Sequence, residues 1–216
     1  MRAMTDSIVL YGNREWTSPY VFSVFVALAE KGLPFRVEVF DLSTGEHRRE
    51  PFASASITGR VPALSHGDMW VAESTAIIEY LEDVFAPPTY ARLLPAEPRA
   101  RARARMVQAF VRSDLMPVRV ERPTQTFLSG EKPAPLSAEG QAAAERLIRI
   151  AERLLPDGAD FLAGEFSIAD ADLAMMLQRL VANHDPCPPR LARYADAVFR
   201  RPSVRAWLAH TAWTDR

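Results

Sequence analysis

The first half of the chain alternates between two hydrophobic periods, that of a strand and that of a helix. Residues 8–11 form a short apolar run that predicts a buried strand. Ser18 followed by Pro19 is typical of a helix N-cap with proline at the first helical position, and this helix is expected to stop at Gly32. Residues 35–41 alternate apolar and polar positions and predict a second strand. The order is β-α-β, a unit that is right-handed in almost every fold.

Two more strands and a helix are predicted before the chain changes character. A polar stretch with room for a short irregular helix over residues 47–53 comes first. Residues 61–65 and 69–72 predict two short strands around a Gly-Asp turn, and residues 74–85 predict a helix with apolar side chains on its inner face. A β-α-β unit followed by β-β-α is a thioredoxin-like α/β plan.

The chain then turns from a mixed pattern to a helical one. Residues 87–98 hold four of the 17 prolines and predict a linker. Every element predicted after the linker is a helix. Residues 139–155 carry an apolar stripe at helical spacing, and residues 167–170 form a capping-box start with Asp in place of Glu or Gln. We therefore expect a thioredoxin-like domain over residues 1–86 and an all-helical bundle domain over residues 99–216.

Composition limits the classes of function. With 48% hydrophobic and 25% charged residues in 216, the chain has the make-up of an ordinary soluble globular protein. Its net charge of −1 gives no reason to expect a nucleic acid or an anionic membrane as partner, and no apolar stretch is long enough to span a bilayer. Residues 1–7 lack the apolar core of a secretory signal, which favours a cytoplasmic location. The one cysteine, Cys187, excludes an internal disulfide and a CxxC pair, and the histidines show no metal-ligand spacing.

Two short motifs carry the candidate chemistry. Val61 precedes Pro62, and an X-Pro step keeps the preceding residue extended. If this peptide bond is cis, the backbone donor and acceptor of Val61 face a ligand instead of a strand. About ten residues later Glu73 and Ser74 stand where a helix begins. These groups suit a small peptide-like ligand that carries an amine and a carboxylate.

The motifs, in this order, resemble the glutathione transferase family across essentially the whole chain. The matching segments are residues 18–20, 32–35, 60–64, 73–81 and 167–170. The serine after the first strand, together with His47, is most similar to the serine-type theta- and zeta-like branches, including bacterial ones. The first 186 residues contain no cysteine, which disfavours the branches that use a catalytic cysteine.

The resemblance implies that Ser18 is the catalytic residue that activates the glutathione thiol. A serine hydroxyl at the mouth of the helix would donate a hydrogen bond to the thiolate, and the helix N-terminus would add a favourable field. Two alternatives remain open at this stage. Ser18 simply caps its helix, or the neighbouring Thr17 has the catalytic role.

The resemblance also implies a binding site for the rest of glutathione. The backbone of Val61, beside Pro62, would pair with the cysteinyl part of the tripeptide as an added strand does. Glu73 would bind the ammonium group of the γ-glutamyl end, and the Ser74 hydroxyl with the helix N-terminal amides would bind its carboxylate. Alternatively, these residues have no ligand to bind. Pro62 is then an ordinary turn proline, Ser74 caps its helix, and the side chain of Glu73 is solvated.

Two further residues are candidates for the glycyl end, whose carboxylate needs a donor. The resemblance assigns His47 and Arg60 to this carboxylate. Alternatively, each is a solvated loop residue.

The function implied is that of a cytoplasmic, homodimeric glutathione transferase without a metal. Glutathione would be its co-substrate and a small electrophile, or an organic peroxide, its second substrate, in a cleft against the helical domain. The alternative is a non-catalytic glutathione-binding or scaffold protein on the same fold, since fold does not fix function. A glutaredoxin-type disulfide reductase is disfavoured because the active-loop thiol is missing.

Overall fold

The computed structural model describes residues 7–130 and 133–211 and divides the chain into two compact units, 1–93 and 94–216. The sequence predicts no secretory signal in residues 1–7. Residues 1–6 of that segment lie outside the described residues. Among the helices described, none has the length and apolar character needed to cross a membrane.

The first unit is a four-stranded mixed sheet with helices, which confirms the thioredoxin-like plan. The strands lie in the order β2-β1-β3-β4; β1 and β2 are parallel, and β3 is antiparallel to both β1 and β4. A 3-10 turn, Glu46–Arg48, precedes α2. The elements are β1 Ile8–Asn13, α1 Pro19–Glu30, β2 Phe35–Phe40, α2 Phe52–Ala55, β3 Ala63–His66, β4 Met69–Ala72 and α3 Ser74–Val84.

Helix α1 follows its sequence signals within one residue. Ser18 is the N-cap, Pro19 lies in the first turn, and Gly32 just beyond the helix has φ +64°, a conformation that glycine adopts without strain. The helix packs closely on β1. A Cβ added at Gly12 would lie 2.9 Å from Val21 Cγ1, so a glycine at this position allows the helix to approach the strand.

Two strand boundaries differ from the sequence prediction by two residues, and each has a physical reason. Strand β1 extends to Asn13 because parallel pairing with β2 continues to the Asn13–Phe40 pair, which is a tertiary effect. Strand β3 begins only at Ala63, whereas the hydrophobic run begins at Val61. Pro62 has no N–H to donate to a ladder, so the two residues before Ala63 stay outside the sheet.

An aromatic cluster covers one face of the sheet. The rings of Tyr11 and Trp70 stack at 4.8 Å between centroids, and those of Phe40 and Phe52 lie 4.6 Å apart. Val61 packs against the same cluster. Tyr11 is therefore a core residue of its strand, as the sequence predicts, and the cluster holds the segment around α2 and Val61 on the sheet.

The second unit is all helical, as expected, and is built around one buried helix. Every residue of α8 from Ile168 to Leu180 is buried. The remaining helices pack on it or on each other. The helices are α4 Pro98–Ser113, α5 Met116–Glu121, α6 Thr124–Ser129, α7 Ala138–Leu154, α8 Ile168–Val181, α9 Pro189–Phe199 and α10 Pro202–Leu208.

The start of α8 is fixed by a buried carboxylate. Asp170 Oδ2 accepts hydrogen bonds from the N–H and the hydroxyl of Ser167 at 2.8 and 2.9 Å. Its Oδ1 accepts from the N–H of Leu162 at 2.8 Å and from the hydroxyl of Tyr194 at 2.9 Å. The capping pair predicted from the sequence is thus present, and it also joins the preceding loop and α9 to the start of the helix.

Candidate functional site

Strand register brings the predicted site segments to one end of the sheet. Tyr11 of β1 pairs with Ala63 of β3, and Ala63 pairs in turn with Ala72 of β4. The end of β1, the start of β3 and the end of β4 therefore lie side by side. Because β2 is parallel to β1, the chain leaves β2 at this end too. The segments that carry the seven predicted residues all begin or end here.

Ser18 lies at the mouth of α1, half-buried. Its Oγ accepts a hydrogen bond from the N–H of Val21 at 3.3 Å, so it does cap the helix. A serine hydroxyl has one proton to donate besides its acceptor lone pairs. Because the capping bond uses a lone pair, the proton of Ser18 is not consumed by it. Capping and donation to an anion are therefore compatible functions of the same hydroxyl.

The field at the mouth of α1 favours an anion. The helix has 12 residues and no acidic side chain in its first turn. The unsatisfied N–H groups of a helix N-terminus carry partial positive charge, which stabilises a nearby anion by about 0.3–1 kcal/mol and by up to about 2 kcal/mol when partly buried. No acidic residue of that turn offsets this contribution next to Ser18.

Asn13 organises the loop that leads to Ser18 and is not among the site residues predicted from the sequence. Its side chain is 4% exposed. Oδ1 accepts from the N–H of Ser18 at 3.1 Å, while Nδ2 donates to Thr17 Oγ1 at 3.0 Å and to Glu15 Oε2 at 3.2 Å. The hydroxyl of Thr17, the other candidate, is thus bonded to Asn13 and that of Ser18 to the helix mouth. The only sign of this role in the sequence is that a polar residue stands two positions after the apolar run of the first strand.

Val61 presents free backbone groups beside the sheet. The Val61–Pro62 peptide bond is cis. Among the described residues, no hydrogen bond uses the N–H or the C=O of Val61, which lies two residues before β3 begins. An extended peptide that aligns with this segment can pair with both groups in the manner of an added strand.

Glu73 and Ser74 lie at the N-terminus of α3 in an unusual backbone arrangement. Glu73 is the N-cap residue with φ +71° and ψ 122°, and its side chain is exposed and makes no capping bond. Ser74 is buried and is the first helical residue, one position later than a cap. A positive φ at a residue with a Cβ costs on the order of 1–3 kcal/mol and is concentrated at functional sites. The first turn of α3 has no acidic residue to oppose an incoming carboxylate.

His47 and Arg60 lie on the segment between β2 and β3. His47 is in the 3-10 turn Glu46–Arg48, and its Nδ1 is buried without a hydrogen-bond partner among the described residues. Arg60 is exposed and immediately precedes Val61. Each has an N–H donor capacity suited to a carboxylate.

The lone cysteine lies in the other unit and has the wrong electrostatics for a nucleophile. Burial, reinforced by the charges of Asp196 and Glu152, raises the pKa of the Cys187 thiol to about 11. The thiol is therefore protonated at neutral pH, and the reactive form is the thiolate. Within the described ranges, no group of three or more His, Cys, Asp or Glu side chains is arranged to hold a metal ion.

Comparison with known proteins matches both units to domains of one family. The family profile "Glutathione S-transferase, N-terminal domain" matches residues 17–84, and "Glutathione S-transferase, C-terminal domain" matches residues 97–213. Glutathione S-transferase 3 of Zea mays is 33% identical over 198 residues, which cover 88% of this chain and 83% of the maize protein.

Two solved structures extend the comparison. A glutathione transferase homologue from Burkholderia BGR1, with bound glutathione, is 39% identical with a TM-score of 0.77 over 94% of this chain and 96% of that one. A maleylacetoacetate isomerase from Methylobacterium extorquens AM1, with bound malonate and glutathione, is 31% identical with a TM-score of 0.70 over 92% and 95%. The chain belongs to the glutathione S-transferase family.

Proposed function

We propose that the protein is a glutathione transferase that holds the glutathione sulfur as a thiolate beside Ser18. The observation that supports this most directly is a hydroxyl at a helix mouth whose proton is not used by its capping bond. A free thiol has a pKa of about 8.5, so lowering it by about 2 units requires about 2.7 kcal/mol. One hydrogen bond to an anion contributes about 1.5–3 kcal/mol, and the helix N-terminus adds about 0.3–1 kcal/mol. Together these contributions are sufficient.

The rest of the tripeptide is assigned to the other segments at the same end of the sheet. In this proposal the cysteinyl backbone pairs with Val61 next to Pro62, and the γ-glutamyl ammonium and carboxylate bind Glu73 and Ser74. The glycyl carboxylate is assigned to His47 and Arg60. Support comes from the backbone groups of Val61, which no described residue bonds, and from the positive φ of Glu73.

The reaction proposed is nucleophilic attack by the thiolate. With an electrophilic carbon, a carbon–sulfur bond forms and the leaving group departs with its electron pair. With an organic hydroperoxide, the sulfur takes the terminal oxygen to give a sulfenic acid and an alcohol, and a second glutathione then forms the disulfide and water. The small electrophile or peroxide, the homodimeric state and the cytoplasmic location are parts of the same proposal.

A second candidate reaction is supported by the resemblance to the maleylacetoacetate isomerase structure. A thiolate that adds to a conjugated double bond allows rotation about the resulting single bond, and elimination then regenerates glutathione. This candidate uses the same Ser18 and the same tripeptide site, and it differs only in the second substrate. No net glutathione is consumed, which separates it from conjugation.

One set of measurements tests these proposals against a non-catalytic binding protein. Calorimetry first measures glutathione binding. Aryl halides, hydroperoxides and conjugated cis-alkenoic diacids are then assayed with and without glutathione. We expect saturable binding and glutathione-dependent turnover with at least one substrate class. Binding without any turnover would favour the scaffold alternative, and the absence of binding would contradict both.

A further inference from the structure

We propose that Asn13 is a positioning residue that sets the direction in which Ser18 donates its hydroxyl proton. This inference rests on the proposed role of Ser18 as the group that stabilises the glutathione thiolate. Asn13 is the last residue of β1 and is almost completely buried, so its position is fixed by the sheet. Through Asn13 the sheet, rather than the loop alone, would determine where Ser18 lies.

The hydrogen bonds leave only one orientation for the Asn13 amide. The backbone N–H of Ser18 can only donate, so the atom that faces it at 3.1 Å is the carbonyl oxygen Oδ1. Nδ2 is then the atom that faces Thr17 Oγ1 and the carboxylate of Glu15, both of which accept. Every polar group of the amide has a matching partner, which is the condition under which a buried polar side chain becomes rigid.

Besides its bond to Glu15, Asn13 holds the loop at three further points. Its backbone C=O accepts from the N–H of Trp16 at 3.1 Å, and its side chain bonds to Thr17 and to Ser18. Trp16 itself has φ +53° and its ring lies edge-on against Phe25 at 5.9 Å. The turn at Trp16 therefore has anchors that do not need the Asn13 side chain. Removing that side chain should release Ser18 without unfolding the loop.

Three hydrogen bonds hold Ser18. Its N–H donates to Asn13, its C=O accepts from the N–H of Phe22 at 3.0 Å, and its Oγ accepts from the N–H of Val21. If the Asn13 bond is lost, the two bonds to the helix persist but the N–H side of Ser18 is no longer held by the sheet and can shift. The hydroxyl would then spend part of its time directed away from the sulfur, and hydrogen bonds weaken steeply as they become misaligned.

A purely structural asparagine would affect stability only, so the test needs a different readout. The pKa of enzyme-bound glutathione, measured by the ultraviolet absorbance of the thiolate against pH, reports directly on donation by Ser18. It is measured for the wild type, Asn13→Ala, Asn13→Asp, Ser18→Ala and Glu82→Gln. Glu82→Gln is the matched control, because it perturbs a buried hydrogen-bond network at the other end of α1, about 18 Å from Ser18 at 1.5 Å per residue.

We expect the pKa of the bound thiol to change by a different amount in each variant. Ser18→Ala removes the whole hydrogen bond and should raise the bound thiol pKa by about 1–2 units. Asn13→Ala should raise it by about 0.5–1 unit and lower kcat for an aryl halide, with less than a threefold change in the dissociation constant for glutathione. Asn13→Asp keeps an oxygen for the N–H of Ser18 but adds a negative charge near the thiolate and loses the donor to Glu15 and Thr17, so it should raise the thiol pKa at least as much as Asn13→Ala. Glu82→Gln should leave the thiol pKa unchanged.

The outcomes separate this inference from the proposed function. A thiol pKa in Asn13→Ala equal to that of the wild type, with a clear shift in Ser18→Ala, would overturn the inference alone. No shift in Ser18→Ala, or no glutathione binding by the wild type, would overturn the proposed function and the inference with it. If Asn13→Ala fails to fold, Asn13→Ser takes its place, because its shorter side chain remains polar but does not reach the N–H of Ser18.

Discussion

The ammonium group of Lys31 donates to Glu82 Oε2 at 2.9 Å, and the Lys31 side chain is fully buried. Its other two hydrogen bonds go to the carbonyl oxygens of Phe85 at 2.9 Å and Ala91 at 2.8 Å. The same oxygen of Glu82 also accepts from the N–H of Leu93 at 3.0 Å. This network joins the C-terminal cap of α1 to α3 and to the segment that ends the first unit. A lysine with three acceptors for its three protons is the arrangement that makes burial of the charge tolerable.

Replacing Lys31 by Met should be strongly destabilising, because Glu82 is left as a largely buried charge without its partner. Removal of one member of a buried pair typically costs about 3–5 kcal/mol. We expect the urea midpoint of the first unit's unfolding to fall accordingly. The control is Arg36→Met, which breaks the exposed pair with Glu38 and should cost less than about 1 kcal/mol. Equal effects of the two variants would contradict the buried network.

Replacing Ser18 by Ala should reduce turnover with little change in glutathione affinity. The hydroxyl is expected to stabilise the thiolate by about 1.5–3 kcal/mol. Loss of this stabilisation corresponds to a decrease of about 10- to 150-fold in kcat/KM for the second substrate. Ser137→Ala is the matched control, since Ser137 likewise caps a helix, α7 of the second unit, through the N–H of Gly140 at 3.1 Å. Wild-type turnover in Ser18→Ala would remove Ser18 from the mechanism.

Two substitutions of Glu73 separate binding from backbone strain. Both Glu73→Ala and Glu73→Gly remove the carboxylate proposed to bind the ammonium group, and each should weaken glutathione binding about tenfold or more, as expected for a hydrogen bond to a charged group. Only glycine relieves the positive φ, so Glu73→Gly should be the more stable of the two by about 1 kcal/mol. Calorimetry and urea unfolding measure the two effects. An unchanged dissociation constant in both variants would contradict the assigned site.

Asp170 should give the second unit a measurable dependence on pH. Burial raises the pKa of this carboxyl above its ordinary value, against the lowering effect of its hydrogen bonds from Leu162, Ser167 and Tyr194. The folded state then binds the proton more tightly than the unfolded chain does, so this group's contribution to stability falls as the pH rises from the ordinary aspartate pKa through the raised one. Asp170→Asn does not titrate, and in either orientation its NH2 group faces a donor, the groups of Ser167 or the N–H of Leu162.

The Asp170→Asn comparison is made by urea unfolding at a series of pH values. We expect the variant to be less stable by about 1–3 kcal/mol, the cost of a buried polar group left unsatisfied. The stability difference between wild type and variant should be largest at the acidic end of the series. A difference that grew with rising pH would contradict the direction of the pKa shift.

The Cys187 thiol should react slowly and be dispensable. A pKa of about 11 leaves about a hundredth or less of the thiolate that an ordinary cysteine has at neutral pH. We expect alkylation by iodoacetamide to be correspondingly slower than that of free cysteine, and to accelerate as the pH is raised. Cys187→Ser should retain full glutathione-dependent activity. Loss of activity in that variant would point to chemistry outside the first unit.

The sequence predicts what depends on local signals and misses what depends on distant partners. Ser18, Pro19 and Gly32 fix the ends of α1 within a residue, because capping and positive φ are local properties. The buried role of Lys31 is invisible in sequence, since its three acceptors lie 51 to 60 residues away. Asn13 was missed because its hydrogen bonds matter only once parallel pairing extends β1 to that position.

The candidate site was predicted to the extent that its residues form short motifs. The Val61 backbone has no partner within residues 7–130 and 133–211, which follows from the proline beside it. The helix start after Glu73 follows from the apolar pattern of α3. The positive φ of Glu73 has no sequence signal, because glutamate is not a residue that favours positive φ. Nor does the sequence indicate that the Nδ1 of His47 is buried and has no hydrogen-bond partner in the part of the chain that the structure describes.

The capping bond to Ser18 has a consequence for where the thiol proton goes. A hydroxyl that keeps its own hydrogen and directs it at sulfur is a donor, so it does not remove the hydrogen of incoming glutathione. In the proposed mechanism, that hydrogen is released to the surrounding water when the complex forms. Binding heats measured in buffers of different ionisation enthalpy should therefore differ, with a slope that gives the fraction of a proton released near neutral pH.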